Sequence, residues 1–199
     1  KPFNYSLINN WGVSFAEGKV ILLLNNDTEV VTPNWIEEML MFAQREDVGA
    51  VGAKLYYPDW TIQHGGVIVG LGGVAGHSHK YFPKQSPGYH GRLQVVQNLS
   101  AVTGACIMMR KKVYEEVGGL DPEFEVAFGD VDLCLRIREK GYLVVWTPFA
   151  ELIHYESKTR GYEDTPEKKL RFEREKNLFR SRWKEFLEKG DPYYSPNLT

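Results

Sequence analysis

Val20-Ile21-Leu22-Leu23-Leu24 is an unbroken apolar run that stops at once in Asn25-Asn26-Asp27-Thr28-Glu29. A run without polar alternation predicts a strand covered on both faces, as in a parallel sheet between helices. Sheets of that kind bind their ligands outside the carboxyl ends of the strands. The oxygen-rich Asn25-Asn26-Asp27 therefore falls where a site is expected.

The rest of the chain alternates helices with strands, which makes the class α/β. A first helix is predicted over 4–17, with Asn4 as its cap and Leu7, Ile8, Trp11 and Phe15 as its apolar face. A second follows Thr32-Pro33 and runs to Gln44, with Trp35, Ile36, Met39, Leu40 and Ala43 toward the core. Val48–Tyr57 reads as a strand. Residues 60–92, rich in Gly and His, read as a hairpin over Ile62–Val69 and then a long mobile loop that contains His77 and His79. Leu99–Arg110 is expected to be a strand broken by Gly104, and Lys111–Val117 a short helix. A further helix is expected over Asp130–Lys140. Two strands follow, Tyr142–Trp146, closed by Pro148, and Ala150–Tyr155. After a polar loop over 156–165, one long charged helix is predicted from Pro166 to Lys189, before an irregular tail.

The chain has 199 residues, of which 43 % are hydrophobic and 25 % charged, enough for one domain with its own core. A disordered chain, a collagen and a disulfide-stapled miniprotein are excluded. A net charge of -2 argues against nucleic-acid binding through bulk positive potential. Cys106 and Cys134, each in an apolar stretch, predict buried thiols and a reducing compartment. No run approaches the ~18–20 apolar residues of a membrane span, and no signal-peptide pattern occurs. There is no initiating Met, and the first element is a helix where a doubly wound sheet opens with a strand. A portion of a longer protein is therefore expected.

Three places can carry chemistry. Asn25-Asn26-Asp27 suits a hard cation such as Mn²⁺ or Mg²⁺, although the same residues favour turns. Asp130 and Asp132 open a helix, where acids complement the dipole; one of them could instead remove a proton from a hydroxyl. His154 ends an apolar strand, where a histidine serves either as a hydrogen-bonded structural residue or as a metal ligand. Lys158, Arg160 and the basic residues of the last helix could face a diphosphate or an anionic lipid; interspersed glutamates favour a solvated face.

Several segments, in order, resemble the inverting glycosyltransferases of family 2, which have the GT-A fold. They are Leu24-Asn25-Asn26-Asp27-Thr28-Glu29-Val30, Ala101-Val102-Thr103-Gly104-Ala105-Cys106, Gly118-Gly119-Leu120-Asp121, Gly129-Asp130-Val131-Asp132-Leu133-Cys134-Leu135-Arg136 and His154-Tyr155-Glu156-Ser157. Asp191-Pro192-Tyr193-Tyr194 is similar to bacterial members that build surface polysaccharides.

The resemblance implies a single incomplete GT-A domain over 1–199, with a mostly parallel, Rossmann-like sheet and its N-terminal nucleotide-binding part missing. It implies a nucleotide-diphosphate sugar as donor and a glycan or lipid-linked acceptor. Asn25-Asn26-Asp27 matches the metal-binding Asp-x-Asp motif, with Asp27 carrying most of the ligation and His154 completing the site. Asp130 matches the catalytic base; Gly129 stands where the family often has Glu. Thr103 and Gly104 lie beside the donor sugar, and Arg160 would contact the donor. The loops at 60–92 and 156–165 would close over the substrates. A cytoplasmic location, extending to peripheral contact with the inner face of the membrane, is expected. So are self-association and little or no activity of this portion alone. A nucleotidyltransferase and a non-catalytic carbohydrate-binding module, with Trp60, Tyr81 and Tyr89 stacking on sugars, are the competing readings.

Overall fold

The computed structural model describes residues 3–156 and 165–198. Along them run α1 (Tyr5–Phe15), β1 (Val20–Leu24), β2 (Thr28–Val30), α2 (Trp35–Ala43), β3 (Val48–Tyr56), β4 (Ile62–His64), β5 (Val67–Val69), β6 (Ala75–His77), β7 (Gln97–Leu99), β8 (Cys106–Arg110), α3 (Lys111–Glu116), α4 (Gly129–Glu139), β9 (Leu143–His154), α5 (Pro166–Arg182) and α6 (Lys184–Lys189).

A central sheet has the order β1-β8-β3-β9-β2, with β4 beside β3 and β7 beside β9. It is mixed, and this corrects the expectation of a mostly parallel sheet. Only β3 and β9 run parallel; β1/β8, β3/β8, β3/β4, β2/β9 and β7/β9 are antiparallel. The strand covered on both faces is β3, buried at every position. β1 lies at the edge, where only Ile21 and Leu23 are buried. One face of the sheet packs on Trp35, Met39 and Ala43 of α2. The other packs on α4, Phe179 and Trp183.

Four boundaries differ from the sequence-based expectation. β9 is one strand through Pro148, not two. Its pairing with β3 jumps from Gly52↔Trp146 to Lys54↔Glu151, so Pro148 sits in a bulge where no ladder bond is needed. The expected strand over 99–110 is two strands, β7 and β8, joined by a loop over 100–105 that pairs with other parts of the chain. The Ile62–Val69 hairpin does not form: β4 joins β3, whereas β5 pairs with β6 in a separate two-stranded sheet. The long last helix is also divided, at Trp183, whose ring is buried.

α1 is turned opposite to its predicted orientation. Leu7, Ile8, Trp11 and Phe15 are exposed, Trp11 at 69 %. The helix docks by its polar face because those side chains find backbone partners: Ser6 Oγ donates to Phe124 O at 2.6 Å, Asn10 Nδ2 to Leu120 O at 2.7 Å and Asn4 Nδ2 to Pro122 O at 3.0 Å. The tail is pinned as well. The buried Asp191 carboxylate accepts from Val69 N at 2.8 Å and from Ser100 Oγ at 2.7 Å. Among the described residues no helix is long and apolar enough to cross a membrane.

Candidate active site

The loop 100–105 joins the two ends of the site. The Gly104 N–H donates to Asp130 Oδ2 at 2.7 Å, and the next residue, Ala105, accepts through its carbonyl from Asn25 N at 2.9 Å. Tyr5, from α1, donates its hydroxyl to Gly104 O at 2.7 Å. A side chain at Gly104 would press on Tyr5 Oη and Asp130 Cβ, at 3.1 and 3.2 Å, so a small residue is needed for this approach.

Asp130 is the second residue of α4, reached through Phe128 in a left-handed conformation, φ 63. Its Oδ1 accepts from Val131 N at 2.9 Å. Asp132 points the other way. It is wholly buried and holds Arg136 at 2.8 Å, Arg182 at 3.0 Å and the Trp183 indole N–H at 3.0 Å. Of the two acids that open the helix, Asp130 is held by the 100–105 loop and Asp132 is part of the core.

At the opposite end, Asp27 Oδ1 lies 3.2 Å from His154 Nε2, and Asn25 Nδ2 also lies 3.2 Å from that nitrogen. Gln63 sets the tautomer. Its amide N–H groups donate to His154 O at 3.2 Å and Glu156 Oε2 at 3.4 Å, so its Oε1 accepts from His154 Nδ1 at 2.7 Å. Nδ1 therefore carries the proton and Nε2 offers a lone pair. Burial, opposed by Asp27 and Glu156, lowers the His154 pKa and keeps the ring neutral. A neutral imidazole lone pair beside a carboxylate oxygen is a donor pair that a divalent cation fits. No group of three or more His, Cys, Asp or Glu side chains gathers among the described residues, so further ligands would be amide, water or substrate oxygens.

Asn26 is exposed beside this pair, and Arg160 lies outside the described residues, as do Lys158 and most of the 156–165 loop. Thr103 is buried, and its N–H points to His64 Nε2 at 3.4 Å. Gln63 and His64 were missed in the sequence; two adjacent polar residues between Ile62 and the Gly65-Gly66-Val67 segment were their only signal. The two cysteines are free and buried, with both thiols pushed up to about 12 by burial. Trp60, Tyr81 and Tyr89 are exposed, but Tyr81 stacks on Tyr57 and Lys84 covers Trp60. Two surface depressions, one between Thr32, Glu38 and Phe149, the other between Asp121, Arg136 and Trp183, touch neither Asp27, His154 nor Asp130.

The model of the family described as "Glycosyltransferase like family 2" matches residues 6–181. The uncharacterized protein y4gI of Sinorhizobium fredii is 53 % identical over all of this chain, which spans 22 % of that protein. The O-antigen biosynthesis protein RfbC of Myxococcus xanthus is 43 % identical, again over all of this chain, which spans 15 % of it. The chain is thus similar to about a fifth or less of each. Among solved structures, GalNAc-T7 with UDP, GalNAc and Mn²⁺ aligns over 76 % of this chain and 30 % of its own, with TM-score 0.56 and 14 % identity. The mannosyltransferase PcManGT from Pyrobaculum calidifontis, in complex with GDP-Man and Mn²⁺, aligns over 82 % of this chain and 39 % of its own, with TM-score 0.55 and 14 % identity. These likenesses make the fold that of the GT-A glycosyltransferases.

Proposed function

The chain belongs to the glycosyltransferase family 2-like proteins, and on that premise we propose that it carries the catalytic half of an inverting sugar transfer in the synthesis of a bacterial surface polysaccharide. The donor is a nucleotide-diphosphate sugar and the acceptor a hydroxyl of a glycan or lipid-linked glycan. One observation carries the reading: loop 100–105 fixes Asp130 through Gly104 and the Asn25-Asp27-His154 group through Ala105. A carboxylate and a cation-ready pair are then held by one loop, the two parts a single displacement requires.

Asp130 takes the proton from the acceptor hydroxyl as that oxygen bonds to the anomeric carbon. The bond from that carbon to the diphosphate oxygen breaks on the opposite face, and its electron pair leaves with the diphosphate. The Gly104 N–H holds Asp130 in place, and the absence of a side chain at Gly104 leaves space beside the sugar. Asp27 and His154, with Asn25 adjacent, would hold Mn²⁺ or Mg²⁺, which when bound neutralises charge on the leaving diphosphate. The relatives' names and the Mn²⁺ in both structural neighbours support this reading. Work at the cytoplasmic face of the membrane, through peripheral contact, fits a lipid-linked acceptor.

The test is product analysis with the intact protein. Release of nucleoside diphosphate is expected; release of pyrophosphate would instead mark a nucleotidyltransferase, and glycan binding without nucleotide or metal a binding module. Asp130→Asn should lower turnover by ~10²–10⁴-fold while donor binding survives. Near-normal transfer by that variant would remove Asp130 from the mechanism.

A further inference from the structure

His64 and His77 stand thirteen residues apart in sequence and meet inside the fold, Nδ1 to Nδ1 at 2.8 Å, with their rings nearly perpendicular. His64 is wholly buried. Its Nε2 faces the Thr103 N–H at 3.4 Å. That contact settles where the protons are. Nε2 of His64 must be the acceptor, because a proton there would oppose the amide proton of Thr103. The His64 proton is therefore on Nδ1 and is donated to His77 Nδ1. His77 in turn must carry its proton on Nε2. Double protonation of either ring would set two N–H groups against each other. Burial agrees, lowering both pKa values and keeping both rings neutral.

The result is a relay of fixed direction: Thr103 N–H, His64, His77, and then an Nε2–H with no partner among the described residues. Thr103 adjoins Gly104, whose N–H holds Asp130, and His64 adjoins Gln63, which holds His154, so the His64–His77 pair is tied to both ends of the site. Its neighbour His79 differs. His79 Nε2 accepts from Tyr89 N at 3.1 Å, and Ser78 Oγ meets its other nitrogen at 2.6 Å, so that ring is used up within its own loop.

We propose that His77 is a substrate-contacting residue whose Nε2–H donates a hydrogen bond to a hydroxyl oxygen of the donor sugar. This rests on the glycosyltransferase reading above. In a single displacement the sugar's anomeric carbon lies between the base and the leaving group, and the His64–His77 pair is tied through Thr103 to the Asp130 end and through Gln63 to the His154 end. A neutral donor with a locked tautomer suits a hydroxyl; a diphosphate calls for cations. The relay also starts at Thr103, beside Gly104, so the loop that holds Asp130 also orients the sugar contact.

Calorimetry on the intact protein with Mn²⁺ tests this. Of a panel of UDP-, GDP- and dTDP-linked hexoses, the one bound tightest by the unaltered protein serves as probe, against the nucleoside diphosphate it contains. His77→Ala should weaken the nucleotide sugar about ten-fold and leave the bare nucleoside diphosphate unchanged. His77→Gln, which can place an amide N–H near the Nε2 position, should recover most of the loss. Unchanged sugar affinity in His77→Ala, or an equal loss for both ligands, overturns the assignment and leaves the glycosyltransferase reading standing. Binding of neither ligand by the unaltered protein overturns that reading and this assignment with it.

Discussion

Asp132 is closed in by Arg136, Arg182 and Trp183, while Asp130, two positions earlier, accepts from the Gly104 amide. A helix turns by about 200° between such positions, and that rotation separates the candidate base from a core residue. The pattern Asp-x-Asp alone is silent about which is which. Asp27 and His154 stood out because each follows an apolar run, and the fold brings them within 3.2 Å of each other; His77 did not, because its partner is on another strand and only the fold brings them together. His64 carries a pH signature. Burial, and next the neighbouring His77 and His154, hold its folded pKa well below the ordinary 6.5. As pH falls through that window the unfolded chain binds the proton first, so stability rises with pH there. The contribution is complete above about pH 6.5 and is lost on acidification. Melting temperatures should drop between about pH 7 and 5.5, with His64 contributing up to ~1.4 kcal/mol per pH unit, and His64→Gln should flatten the slope. An identical slope in the variant would refute this.

Among the elements, α5 supplies a support for the site. Glu175, fully buried, accepts the N–H groups of Glu125, Val126 and Ala127 at 2.9, 3.2 and 2.7 Å, in the segment leading to α4. Burial raises its pKa against the pull of those donors. Glu175→Ala leaves the donors unpaired and should cost ~2–4 kcal/mol of stability in denaturant titrations, with Glu175→Gln costing less. Equal stability of the alanine variant would show that water replaces the carboxylate freely. α2 and β3 were readable from sequence as elements, with Trp35, Met39 and Ala43 buried at the expected spacing, but Ile36, expected toward the core, is exposed. Pro148 misled because its usual meaning, the end of a strand, fails at a bulge. α1 misled because helical periodicity marks an apolar face but not whether anything covers it.

For the whole molecule, that uncovered face matters together with the sheet edge. β1 pairs with β8 on one side, and among the described residues no strand lies on its other side. Open edges and apolar patches invite further pairing. The 199-residue chain on its own should therefore self-associate; a monomer by solution scattering would contradict this. Asp191 adds a matter of timing. The groups it ties, Val69 and Ser100, precede it by 122 and 91 residues. At ribosomal speeds of ~5–20 residues per second, both are made several seconds or more before their carboxylate exists. During synthesis the β5–β6 layer waits with a donor unmet until the segment around Asp191 emerges and closes it.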